Sequence, residues 1–221
     1  FGEYVNVTHA REILATLMIQ AGTPITDRDS TGRLRPAVAA SALDVAQPVQ
    51  SALRFYTEFA NPTKTVYSWN RSLPESRTAF ANGDVGLYVG LASELALIRS
   101  MNPNLNFGVS VIPQIKETSR AATYGNIYAF AVPRGSLNPG GAATIAFLLA
   151  QSEPSRLLAV ARGTPSPRRD VLALGADGDE SVFRDSAIIA HGWLDPDPDK
   201  SGTIFQGMIE GATSGGARLT E

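Results

Sequence analysis

A chain of 221 residues, 43% of them hydrophobic, has room for one large domain or two small ones, and enough apolar side chain to build a core. Its formal net charge of −2, with no block of like charge, argues against nucleic acid or an anionic membrane as the main partner. It has no cysteine, which rules out disulfides, thiolate catalysis and cysteine-bound metal, and leaves the redox compartment open.

The chain opens as if in mid-fold, with Phe1 and no charged-then-apolar leader, so a longer parent is expected. Thr8 is placed to cap a helix through Ile13, Leu14, Leu17 and Met18 that stops at Ala21-Gly22. Residues 22–44 begin polar and turn-rich and read as a surface loop or hairpin. Val49, Ala52, Leu53, Tyr56 and Phe59 give a second amphipathic helix, halted at Asn61-Pro62. Ser72, Pro74 and Glu75 read as a capping box with proline in the first turn, opening a short helix that Asn82-Gly83 ends.

Val85, Leu87, Tyr88 and Val89 then suggest a short buried strand before Gly90. A helix over Ser93 to Met101 follows, stopped at Asn102-Pro103. "NFGVSVIP" (106–113) and "TYGNIYAFAVP" (123–133) read as strands. "NPGGAATIAFLLAQ" and "SEPSRLLAVARG" are successive helices, the second ending at Gly163 ahead of the turn "TPSPRRD". Two more are expected at Ser181 to Ala190 and Thr203 to Ala212. Strands alternating with helices indicate an α/β protein. No run approaches the roughly 20 apolar residues of a membrane span.

Chemistry is sparse. His9 and His191 sit beside helix ends, where capping or surface roles are the plainer reading than a ligand pair. No nucleophile elbow, P-loop or dinucleotide fingerprint occurs, and the serine of "GATSGG" fits a C-terminal loop. Asp195, Asp197 and Asp199 alternate as in a calcium loop, but the intervening prolines and the missing glycine and glutamate favour a solvated turn. The sequons at Asn6 and Asn70 are what chance supplies in a chain this long. Neither a metal nor a cofactor is called for.

Aromatic residues beside small polar ones are more informative. Trp69 with Asn70, Tyr124 with Asn126 and Tyr128, and Trp193 after His191-Gly192 all stand at element ends. Sugar rings show apolar C–H faces ringed by hydroxyls, so a carbohydrate pocket needs flat aromatic platforms and polar hydrogen-bonders. Taken singly, core or rim packing is the plainer reading of each of these aromatics, and their joint placement near turns favours the pocket only modestly.

The order of "ALRFYTEFANP", "YSWN", "ESRTAFANGDVGLYVGLASEL", "NPNLNFGVSVIPQ", "TYGNIYAFAVPRGS" and "AATIAFLLAQSEPSRLLAVARGTPSPRRD" resembles the C-terminal part of the bacterial extracellular solute-binding proteins of family 1. These are the maltose-binding-like receptors of ABC importers. The resemblance runs from about Val5 to the C-terminus and rests on order and spacing.

It implies a type II periplasmic-binding-protein fold, mainly the C-terminal lobe with hinge-crossing segments. Residues 1–125 would be the first part of that lobe, 126–170 the crossing and the elements packed on a missing N-terminal lobe, and 171–221 the return. It also implies a non-enzymatic receptor in the periplasm or on the outer face of the membrane, in full-length form a possible lipoprotein, handing a sugar or oligosaccharide to an ABC permease.

The ligand would stack on Trp69, Tyr124 and Tyr128 and bond to Asn70, Glu94 and Asn126, with Arg168 and Trp193 at the rim. Trp69 is expected at the cleft edge, with Tyr124 and Tyr128 on one face of a strand. The helices over Ala142 to Arg162 should show an apolar face through Ile145, Phe147, Leu148 and Leu158, and the chain alone should bind sugars weakly or not at all. Two alternatives stand beside this reading. A carbohydrate-active enzyme would need paired acids such as Glu94 and Asp170. An intracellular effector-binding regulatory domain would need an upstream DNA-binding module.

Overall fold

In a computed structural model the described residues are 1–38, 48–116 and 121–215. Their order is α1 (Ala10–Gln20), β1 (Thr26–Arg28), β2 (Leu34–Pro36), α2 (Pro48–Glu58), α3 (Ser76–Asn82), a 3-10 turn (Ala92–Glu94) and α4 (Leu95–Met101). There follow β3 (Thr123–Tyr124), α5 (Pro139–Leu149), α6 (Ser152–Arg162), α7 (Arg169–Leu172), α8 (Asp179–Ile188), β4 (Ala190–His191) and α9 (Pro198–Thr213). Helix takes 45% of the described residues and strand 5%, a mixed fold in which small sheets accompany the helices and which is compatible with the α/β class. Among the described residues no helix is long and apolar enough to cross a membrane.

The chain divides into two compact units. The first holds Phe1–Gly90, Pro113–Tyr124 and His191–Glu221; the second holds Leu91–Ile112 and Gly125–Ala190.

The first unit is organised around α1, α2 and α9. Spacings of three and four put Ala10, Ile13, Leu14 and Met18 on the inner face of α1, Ala52, Leu53 and Tyr56 on that of α2, and Phe205 and Ile209 on that of α9. Leu14, Met18, Tyr56 and Ile209 are sealed from solvent. The Tyr56 hydroxyl reaches this core without an orphaned polar group because it donates to the Glu3 carbonyl at 2.8 Å. Burial pushes the Tyr56 pKa up, so the phenol stays neutral and the bond is kept. β1 and β2 form the expected hairpin, antiparallel with Asp27 opposite Arg35; positions 39–44 of the predicted loop lie outside the described residues. β3 pairs with β4, whose His191 returns the chain to this unit.

The second unit carries α4 to α8 and little core. Ile98 and Val171 are its buried large aliphatics among the described residues. Its helices are nonetheless well formed locally. Asn138 caps α5 by accepting from the Gly141 amide at 2.9 Å with Pro139 at the first helical position, and Gly163 ends α6 in the left-handed region at φ 61°. α5 buries no residue, and the apolar face expected on these two helices is exposed, with Ile145 at 59% and Phe147 at 72%.

Several expectations are corrected. α3 starts at Ser76, after the box proposed at Ser72. The groups that would close the box are used elsewhere: Asn70 Oδ1 takes the Ser72 amide at 2.9 Å, and the Glu75 carboxylate accepts from the Thr8 hydroxyl at 2.7 Å. Thr8 therefore does not cap α1; His9 holds that position, with φ 60°. The helix stop at Gly83 is where expected, with φ 84° and its amide on the Phe80 carbonyl.

The run after Gly83 is not a strand. Leu87 is 90% exposed, and the Tyr88 ring folds back to stack on Phe80 at 5.6 Å. An apolar run becomes a strand only with a partner to take its amides and carbonyls. Residues 106–113 also lack strand structure, and of 123–133 only Thr123 and Tyr124 are in one, so no ladder sets Tyr124 and Tyr128 on a common face. Arg169 and Asp170, at the end of the expected turn, join Val171 and Leu172 in the short α7, which was not foreseen. α9 covers the helix expected over Thr203 to Ala212 and begins earlier, at Pro198.

Candidate functional site

The candidate site lies in the first unit, where two of the expected ligand residues meet. Tyr124 ends β3 with its amide donating to the Thr16 hydroxyl at 3.3 Å, which fixes the residue against α1. Trp193 follows β4 by two residues and brings its ring to 5.3 Å from that of Tyr124, tilted by 52°. Behind it Phe205 of α9 lies nearly parallel at 6.0 Å. Phe205 is buried while Tyr124 and Trp193 are only partly so, giving an aromatic surface rooted in the core and open on one side.

Charged groups adjoin this pair. Arg11, in the first turn of α1, donates from Nε and Nη2 to Glu12 Oε1 at 3.1 and 2.9 Å. Its Nη1 donates to the Pro198 carbonyl at 3.3 Å and stands 3.6 Å from Asp195 Oδ2. Burial works against the charge on Arg11, but the bond to Glu12 and the fields of Glu12, Tyr124 and Asp195 outweigh it, so its pKa lies above the ordinary value. Asp195 is itself set by the Ser201 hydroxyl at 2.7 Å. Asp197 caps α9 by accepting the Lys200 amide at 3.2 Å, with its pKa held down first by the Lys200 side chain. Asp195 thus serves as an ion-pair partner and Asp197 as a helix cap, while Asp199 lies in the first turn of α9. Among the described residues no three His, Asp or Glu come together as a metal would require.

Arg11 also lines a groove of about 470 Å³ between residues 4–12 and the first turns of α9. Tyr4, His9, Glu12, Thr203 and Gln206 contribute to its walls. Aromatic surface beside guanidinium, carboxylate, hydroxyl and amide groups is a mixture suited to a small polyhydroxylated molecule.

The remaining expected residues lie elsewhere. Trp69 is not at a cleft edge: it is 6% exposed, part of the core, and its indole donates to Asn6 Oδ1 at 3.1 Å. The polar stretch around it misled, because Asn6 is itself buried and supplies the one partner an indole needs, while its own amide donates to the Asn70 and Leu73 carbonyls at 2.9 Å. Asn70 spends its side chain on a turn, donating to the Tyr67 hydroxyl at 2.9 Å.

Glu94, Asn126, Tyr128 and Arg168 belong to the second unit. Glu94 is buried and accepts the Leu91 amide at 2.8 Å. Arg168 pairs with Asp170 at 2.9 Å and donates to the Ala150 carbonyl at 2.8 Å, so both of its ends are engaged. Asn126 is exposed. Tyr128, 75% exposed, lies under the Arg162 guanidinium at 4.3 Å from the ring centre. Asp170 on Arg168 and Glu94 on a backbone amide give the paired-acid alternative no support.

Arg11, Glu12 and Arg162 were missed by sequence reading. Adjacent opposite charges in the first turn of α1 were the signal for the first two; nothing local marks Arg162. No family model, curated protein or solved structure matches this chain.

Proposed function

We propose that this chain is a ligand-holding portion of an extracytoplasmic solute-binding receptor with a type II periplasmic-binding fold, which passes a sugar or oligosaccharide to an ABC importer. The observation that carries the reading is the Tyr124–Trp193 pair, half-open, backed by Phe205 and bordered by the Arg11–Asp195 ion pair. Stacking on the pair would cover the apolar face of a sugar ring, and the charged groups would take its hydroxyls. No bond is made or broken in this account; transport depends on capture and on a ligand-driven shift toward a closed state. The ordered motifs that resemble family 1 receptors add support from the sequence.

Tryptophan emission tests it. Trp69 is buried and Trp193 is not, so a change of emission on adding sugar reports mainly on Trp193. A panel of mono- and oligosaccharides should contain at least one that shifts the emission at millimolar concentration, the weak regime expected when a ligand stays partly in water. Replacing Trp193 by alanine should then cost roughly 1–3 kcal/mol of affinity in calorimetry. A panel with no responder, by emission or by heat, rejects the reading.

A further inference from the structure

We infer that His9 is a proton-operated switch on the site beside the aromatic pair. Neutral, it leaves a Glu12 oxygen to the ligand; protonated, it takes that oxygen itself. Among the described residues His9 is the only non-glycine residue with a positive φ, at 60°. A side chain in that region carries a backbone cost, and such costs gather where a functional site is held in shape.

The ring stands among the charged groups of the groove. Its Nδ1 lies 3.9 Å from Glu12 Oε2, and both side chains are largely shielded from solvent. Arg11 uses the other oxygen, Oε1, for its bonds from Nε and Nη2. Its Nη1 holds the Pro198 carbonyl at 3.3 Å and faces Asp195, two residues after Trp193. The remaining charged or titratable groups on the groove walls are Tyr4 of the N-terminal segment and Asp199 of the first turn of α9.

At 3.9 Å the neutral imidazole is too far from Glu12 Oε2 to hydrogen-bond, so that oxygen can accept from a sugar hydroxyl. A proton taken from solvent makes the ring a cation beside a shielded carboxylate, and attraction draws Nδ1–H onto Oε2. The ligand then loses an acceptor. Two cations also share one carboxylate, which drives Arg11 toward Asp195 and disturbs the segment that carries Trp193. As regulation of a sugar site this rests on the function proposed above, but the switch can be read first without ligand.

Trp193 emission of the ligand-free chain is followed from about pH 8 to 5.5, across the ordinary range of histidine and above that of carboxylates. The chain has two histidines, so two variants assign any change. The expected result is a transition that His191→Asn keeps and His9→Asn abolishes. Asparagine tolerates the left-handed region and caps helices well, so α1 should stand, as circular dichroism checks. The Phe1 amine, its pKa lowered by burial, is common to all variants and drops out of the comparison. A sugar that responds at the higher pH should bind about threefold to tenfold more weakly at the lower one. His9→Asn should erase that difference. No transition, a transition that survives His9→Asn, or equal sugar affinity at both pH values overturns the inference. A chain that shows the His9 transition but answers to no sugar keeps the switch and rejects the sugar reading instead.

Discussion

The two units spend similar helices differently. α1 and α6 are each 11 residues long, end in glycine-assisted turns and carry aliphatic side chains. Yet α1 buries Ile13, Leu14, Ala15 and Met18, while α6 buries only Ser155, whose hydroxyl meets that of Ser166 at 3.0 Å. Caps and termination signals decide where a helix runs. Packing decides what it is worth. In the first unit three helices and the N-terminal segment close on one another; in the second the local signals are as clear, but nothing within the unit covers α5.

The sharpest way to break this contrast is a matched pair of deletions. Leu14→Ala empties a sealed position and should cost about 2–5 kcal/mol in denaturant unfolding. Phe147→Ala removes more surface but little packing and should cost less than about 0.5 kcal/mol at dilute concentration. Equal costs would mean that α5 is packed as α1 is, and the comparison would fail.

A smaller effect sharpens it within the first unit. Tyr56→Phe keeps the ring and leaves the Glu3 carbonyl without its donor at 2.8 Å, for an expected loss of about 1–2 kcal/mol. An unchanged midpoint would show that water replaces the hydroxyl and that this part of the core is less closed than described.

How much of this was legible follows the same divide. The extents of α1, α2, α5 and α6 were readable because each is set by neighbours in sequence: apolar spacing, Asn138-Pro139 at one start, Gly22 and Gly163 at the ends. The strands were not, because an apolar run such as Val85 to Val89 needs a partner that sequence does not name. Trp69 was misplaced for a related reason. Its partner, Asn6, is 63 positions away, and burial of an indole turns on that one acceptor. The Tyr124–Trp193 pair was legible as residues, while its meeting over Phe205 needed the fold.

The smallest expected effect is on pH dependence. Partial burial pushes the Glu75 carboxyl up, but the Thr8 hydroxyl, the Arg77 guanidinium and the Thr78 hydroxyl together hold it below its ordinary value. A carboxyl depressed in the folded state adds stability that is complete above its unfolded pKa of 4.5 and lost as pH falls through the lower folded value. Glu75→Gln should remove that part of the decline, below about 1 kcal/mol for so exposed a group. Identical stability curves below pH 5 would mean that the Thr8–Glu75 contact does not bind α3 to the N-terminal segment.

Amide hydrogen exchange at two protein concentrations tests the central contrast most directly. α1, α2 and α9 should be strongly protected at both, because their cover lies within the chain. α5 and α6 should exchange quickly at both, because α5 buries no residue and α6 only Ser155. Protection of α5 equal to that of α1 would contradict the account.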